Sequence, residues 1–226
     1  MNPKLVFTLW SFRKELKFVL LAFLTILMLP VIAVILLTQV GINVISDKLI
    51  DQNTTTQAIQ IKDPTTGEVV TEINPTIVWP TKGVITLEFA QSSMYQVFHT
   101  GIDLASRLDE PVNPAMDGTV IYAGEIFWGY GKHVIIDHGN NVVTIYAHLN
   151  KIYVFKGQKV TTSDVIGGQG QTGWATGIHL HFQVNVYGIP VNPRVFLDNP
   201  TSTEWQRTRV IMPIKYYNVD VINFCW

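Results

Sequence analysis

Apolar positions are laid along this chain in two different ways. From Phe18 to Leu37 they are continuous, F-V-L-L-A-F-L-T-I-L-M-L-P-V-I-A-V-I-L-L, broken only by Thr25 and Pro30. A helix rising about 1.5 Å per residue crosses a hydrocarbon core of about 30 Å in about 20 residues, which is the length of this run. A helix buried in a soluble protein carries a polar stripe, and none is visible here. The run predicts a membrane-spanning helix, in which Pro30 marks a kink more readily than an end. From Trp79 onward the texture changes. Short β-branched and aromatic runs, G-V-I-T-L-E-F, G-T-V-I-Y-A-G and H-V-I-I-D-H-G-N-N-V-V-T-I-Y-A-H, alternate with Gly, Asn and Asp. Regular short strands with turn signals and no helical period predict an all-β, sandwich or barrel-like domain. Gly139-Asn140-Asn141 is a good hairpin turn, because both residue types accept positive φ.

Charge gives the first run a direction. Lys4, Arg13, Lys14 and Lys17 precede it, and no basic residue follows before Lys48. The positive-inside rule puts residues 1–17 in the cytoplasm, a span at 18–40, and everything after Val40 outside. A cleavable signal peptide would share the basic start, but its apolar core is only about 7–15 residues and ends at a small-x-small site. The longer run and the following L-L-T-Q-V-G-I-N favour an uncleaved signal anchor. Residues 41–76, rich in Thr, Gln, Asn and Asp, read as a stalk with room for a small hairpin around Pro64–Gly67. The β domain is expected over 77–197. Residues 198–226 form an aromatic tail of no assigned role.

Composition removes several function classes. A net charge of −1 with 15% charged residues gives nucleic acid nothing to bind. The single cysteine, Cys225, excludes internal disulfides. It lies in N-F-C-W with no histidine nearby in sequence, which argues against a nucleophile. Gly168-Gln169-Gly170-Gln171-Thr172-Gly173 matches the dinucleotide pattern G-x-G-x-x-G, yet that pattern has meaning only between a strand and a helix. Here W-A-T-G-I-H-L-H-F follows, so the glycines predict a loop at the rim of a site.

The chemistry is concentrated in three motifs: His99 and Asp103 in H-T-G-I-D, His148 in Y-A-H-L, and His179 and His181 in H-L-H-F. A histidine taken singly is most often a buried structural residue, but five candidates within one domain are hard to explain that way. Histidine and carboxylate hold a catalytic zinc while leaving one position open to water. Three such ligands would leave two imidazoles for proton transfer and charge stabilisation. Residues two apart on a strand share a face, so His179 and His181 face one site while Leu180 and Phe182 point into the opposite layer. Spacing does not say which of the two binds metal. His99 and Asp103 would lie about 13 Å apart on an extended strand, too far to share an ion, so the chain must bend, with Gly101 supplying the freedom. His133 and His138 flank one predicted strand and are expected at its ends, on the surface.

The ordered set H-T-G-I-D, D-G-T-V, Y-G-K-H-V-I-I-D-H-G-N, Y-A-H-L, T-G-x-x-T-G-I-H-L-H-F and V-N-P resembles the lysostaphin/LytM-type zinc endopeptidases, which cleave peptide bonds of bacterial peptidoglycan. The likeness covers Trp79 to about Val195. It implies a compact antiparallel β core, sandwich-like and of the duplicated hybrid motif type. It also implies one Zn2+ per chain on His99, Asp103 and His181, with His148 and His179 as the catalytic pair. A single-pass protein of the bacterial cell membrane, with its peptidase domain outside the cytoplasm and peptidoglycan as substrate, is the resulting expectation. Protein partners are not indicated. The alternative is a non-catalytic LytM-like module that binds the wall or activates another hydrolase, although such modules typically lack one of the five residues. The chain departs from the family pattern at Gln183, where Glu is usual and a role in orienting a ligand is expected. It departs also at Ser163-Asp164-Val165-Ile166 and in E-F-A-Q-S-S-M-Y-Q-V-F before His99.

Overall fold

The structure is a computed structural model. It describes residues 3–53, 55–56, 58–73, 77–93 and 96–197; the expected tail and Cys225 lie outside the described residues. Helix α1 (Pro3–Leu49) is one unbroken element of 47 residues with Pro30 inside it. At about 1.5 Å per residue it is about 70 Å long. From Leu16 to Leu37 its side chains are exposed, Ile35 alone being half-buried, so none of the described residues covers the apolar run. Thr25 spends its hydroxyl on the carbonyl of Leu21 at 2.8 Å, which removes the one polar group from that surface. By length and composition this helix can cross a membrane.

The polar segment expected as a stalk is folded. Strands β1 (Ile50–Gln52), β2 (Ile59–Lys62) and β3 (Val69–Ile73) form an antiparallel sheet in that order, with the hairpin at Pro64–Gly67 closing the second pair. Ile59 and Ile61 alternate with polar neighbours and are fully buried. The last turn of α1 docks beside this sheet. Ser46 and Leu49 are each 1% exposed, and the Ser46 hydroxyl accepts the Asn192 N–H at 3.1 Å. The helix therefore enters the domain through a packed joint.

The remaining strands are β4 (Val84–Leu87), β5 (Ile102–Ala105), β6 (Pro111–Val112), β7 (Gly118–Glu125), β8 (Lys132–Asp137), β9 (Val142–Ala147), β10 (Leu149–Ile152), β11 (Lys159–Val160), β12 (Gly167–Gln169), β13 (His179–Val186) and β14 (Ile189–Val191), followed by a 3-10 turn at Pro193–Val195. An eight-stranded antiparallel sheet runs β11-β7-β8-β9-β13-β5-β4, with β14 also on β13, and a second sheet runs β10-β12-β6. Val112, Leu149 and Ile166 from the second layer share one core with Val134, Ile136, Tyr146 and Phe182 from the first. The predicted β class holds, as a sandwich rather than a closed barrel. The turn Gly139-Asn140-Asn141 joins β8 to β9, with φ of 77°, 51° and 60°.

Strand β13 shows how the sheet builds a site. In H-L-H-F-Q-V-N-V the even positions Leu180, Phe182, Val184 and Val186 are at most 1% exposed in the core. Each contributes about 1.5–3 kcal/mol of hydrophobic stabilisation. The odd positions His179, His181, Gln183 and Asn185 share the other face as a polar stripe. Burial of the even residues thus determines where the odd ones point.

Candidate metal centre and active site

Strands β5 and β13 pair so that Asp103 lies directly opposite His181. His181 Nδ1 is 3.0 Å from Asp103 Oδ1. His99 comes from the loop before β5. Its backbone N–H donates to Gln91 and its carbonyl accepts from Ala90, while ring Nδ1 donates to the carbonyl of Glu88 at 3.0 Å. Those bonds bend the chain and bring His99 Nε2 within 2.9 Å of both Asp103 Oδ1 and His181 Nδ1. Gly101 is needed here for closeness. A Cβ on it would sit 2.3 Å from the carbonyl oxygen of Phe182, so any side chain would push β5 off β13. It has no positive φ, and the freedom expected of it is replaced by this steric demand.

The tautomers of the two rings follow from their other nitrogens. His99 Nδ1 faces a carbonyl, so its proton is there and Nε2 carries a lone pair. His181 Nε2 faces the Gln183 side-chain oxygen at 3.3 Å, which leaves the lone pair on Nδ1. Two nitrogen lone pairs and a carboxylate oxygen then converge on one point, an arrangement that calls for a cation. The donor set of two imidazoles and one carboxylate, all within 4.8 Å of one another, fits a borderline-soft divalent ion.

His148 and His179 approach from the side. His148 ends β9 with φ 61°, a left-handed conformation that costs a non-glycine residue about 1–2 kcal/mol. Two bonds hold it there: its N–H donates to the Tyr130 carbonyl at 2.9 Å and ring Nδ1 to the Thr172 carbonyl at 2.8 Å. Gly131 and Thr172 touch so closely that a Cβ on Gly131 would lie 2.4 Å from the Thr172 backbone, which locks the two supporting loops together. His179 Nδ1 donates to Gly177 at 2.9 Å, and its Nε2 is 3.6 Å from Asp103 Oδ2. The two rings lie 4.8 Å apart, centroid to centroid. Burial, and then the neighbouring His181 and His179, push the His148 imidazole down to about 4, so it is neutral at physiological pH.

All five sequence candidates line one cavity of about 390 Å3, with Trp174, Thr176 and Ile178 on its rim. His133 and His138 do not line it. His133 is 2% exposed, not at the surface as its strand-end position suggested, because its ring stacks on Tyr122 at 4.5 Å. His138 is half-buried and bonded to the Asp117 carbonyl and the Thr144 hydroxyl. Tyr130, Thr172 and the Gln183 contacts were missed by sequence reasoning. Tyr130 opens the motif Y-G-K-H-V-I-I-D-H-G-N, but nothing in that motif ties it to Gln183 or His148. The glycine-rich stretch, expected as a loop at the rim of the site, begins as strand β12 and does not line the cavity; as expected, no helix follows it directly.

Residues 97–193 match the family model described as Peptidase family M23. The peptidoglycan DD-endopeptidase ShyA of Vibrio cholerae is 45% identical over 94 residues, 42% of this chain and 22% of that protein. The DD-carboxypeptidase/endopeptidase Mpg of Neisseria meningitidis is 43% identical over 107 residues, 47% of this chain and 24% of that protein. The murein hydrolase activator NlpD of Escherichia coli is 34% identical over 119 residues, 53% of this chain and 30% of that protein. The chain spans less than half the length of the curated relatives it matches. All five site residues fall inside the matched segment, and the resemblance read from the motifs is borne out: residues 97–193 match the model of peptidase family M23.

Proposed function

We propose that this domain is a zinc-dependent endopeptidase that hydrolyses peptide bonds of peptidoglycan, held outside the cytoplasm at the bacterial membrane by helix α1. One observation carries the reading. His99, Asp103 and His181 form a compact donor set, and two further imidazoles, His148 and His179, face the same cavity without being needed to complete it.

The metal would be held by His99 Nε2, Asp103 and His181 Nδ1. Bound zinc supplies Lewis acidity, lowering the pKa of a water toward about 7 and polarising a carbonyl. The rest is the work of the protein. His148 keeps its proton on Nδ1, committed to Thr172, and so offers the Nε2 lone pair to a proton from the attacking water. His179, with Nε2 beside the Asp103 carboxylate, is suited to carry a proton there and to stabilise negative charge on the substrate or protonate the leaving amine. Asp103 thus serves both groups, one oxygen toward His99 and His181 and the other toward His179.

The likeness to an NlpD-type activator supports a second reading, a module that acts through another hydrolase. Incubating the zinc-loaded full-length protein alone with purified peptidoglycan separates the two. The enzymatic reading expects new peptide ends by mass spectrometry. Intact peptides, with cleavage appearing only when a second hydrolase is added, would favour the activator.

A further inference from the structure

We propose that Gln183, braced by the hydroxyls of Thr100 and Tyr130, is the positioning residue that makes His181 a metal donor through Nδ1. The inference rests on the zinc reading above and concerns what holds the donor atom in place. An imidazole can present either nitrogen to a metal, and the choice follows the hydrogen bond made by the other one. Gln183 lies two residues beyond His181 on β13, on the same face, and is 3% exposed. Its amide is the group that His181 Nε2 meets.

An amide can turn either end toward a neighbour, and the two ends have opposite consequences. With the oxygen toward His181, the ring proton sits on Nε2 and the Nδ1 lone pair meets those of His99 and Asp103. With the NH2 group toward His181, the proton would move to Nδ1, among the donors, and block them. The surroundings select the first arrangement. The Thr100 hydroxyl donates to Gln183 Oε1 at 2.6 Å and the Tyr130 hydroxyl at 2.9 Å, while Gln183 Nε2 donates to Asn185 Oδ1 at 2.7 Å. Turning the amide over would set the Gln183 and Asn185 oxygens against each other at that distance.

Tyr130 links this brace to the other half of the site. Its hydroxyl holds Gln183, and its carbonyl accepts the N–H of His148, whose left-handed backbone needs that bond. One residue between two glycines thereby ties the metal donors to the proton acceptor.

The test uses full-length protein in detergent, with zinc affinity measured by chelator competition and the His181 ring nitrogens followed by NMR in metal-free protein. Gln183→Leu removes the acceptor. It is expected to weaken zinc about 10–100-fold, the usual effect of losing a partner behind a ligand, and to shift His181 toward the Nδ1–H tautomer. Gln183→Glu restores an acceptor oxygen and is expected to recover both. Tyr130→Phe, which deletes one oxygen, should move both readouts in the same direction by less, and it carries the test if Gln183→Leu does not fold. Wild-type zinc affinity and an unchanged tautomer in Gln183→Leu, or in Tyr130→Phe where that variant stands in, would overturn the proposal. A wild-type protein that binds no zinc would defeat the enzymatic reading instead, and the tautomer comparison would still decide the role of Gln183.

Discussion

The two halves of the site are built on different principles. His99, Asp103 and His181 are interlocked: every donor atom contacts the other two at 2.9–3.0 Å, and the rings of His99 and His181 are buried. His148 and His179 are not interlocked in this way, although His179 Nε2 lies 3.6 Å from the other Asp103 oxygen. Each is pinned from behind, through Nδ1 to a backbone carbonyl, with Nε2 left over. The first half is arranged to hold something fixed. The second is arranged to keep a nitrogen available. A catalytic metal site needs both, and this division lets each substitution be assigned to one half.

The largest effects are expected in the interlocked half. Replacing His99, Asp103 or His181 with Ala should abolish stoichiometric zinc and hydrolysis together, as metal analysis and peptidoglycan assays would record. A full equivalent of zinc in His181→Ala would mean that the ligand assignment is wrong. Gly101→Ala probes the same half without touching a donor atom. Its methyl meets the Phe182 carbonyl, so β5 must move from β13, costing about 1–3 kcal/mol of stability and separating Asp103 from His181. A thermal melt and zinc titration at wild-type values would show that the strands need not be so close.

The pinned half should respond differently. His148→Ala and His179→Ala are expected to keep zinc and lose activity by about 10²–10⁴-fold, the usual contribution of a general acid or base. If either instead loses its metal, the boundary between the halves has been drawn in the wrong place.

The smallest effect comes from pH. The His148 imidazole titrates at about 4 in the fold against 6.5 when free, because burial disfavours its charged form. The unfolded chain therefore binds the proton more readily, so this contribution is whole above pH about 6.5 and fades as pH falls toward 4. Metal-free wild type should lose more stability than His148→Gln over that interval, measured by denaturant unfolding. Parallel losses would show that His148 is not held neutral by its surroundings.

What was legible in the sequence was whatever repeats with the period of a strand. The alternation in H-L-H-F-Q-V placed His179 and His181 together and Leu180 and Phe182 in the core before any coordinates. The same signal, I-Q-I-K at residues 59–62, was present in the polar segment after the helix, but the composition around it read as a stalk. Contacts between distant segments were not legible. Tyr130 and Gln183 are separated by 53 positions and meet only through the pairing of the sheet. His133 follows the same logic: its place at a strand end suggests surface, and the Tyr122 ring from the next strand covers it. The His99–Asp103 bend was anticipated, with Gly101 in it, while the reason for the glycine lay in a backbone 81 residues later.

The central claim is that one half of the site holds a metal while the other performs hydrolysis with it. Zinc content and peptidoglycan cleavage, measured side by side on full-length wild type and His148→Ala, test this most directly. The account predicts one equivalent of zinc in both proteins and new peptide ends, seen by mass spectrometry, at an appreciable rate only with the wild type. Equal cleavage by the two proteins, or zinc-loaded wild type that cleaves nothing, would contradict it.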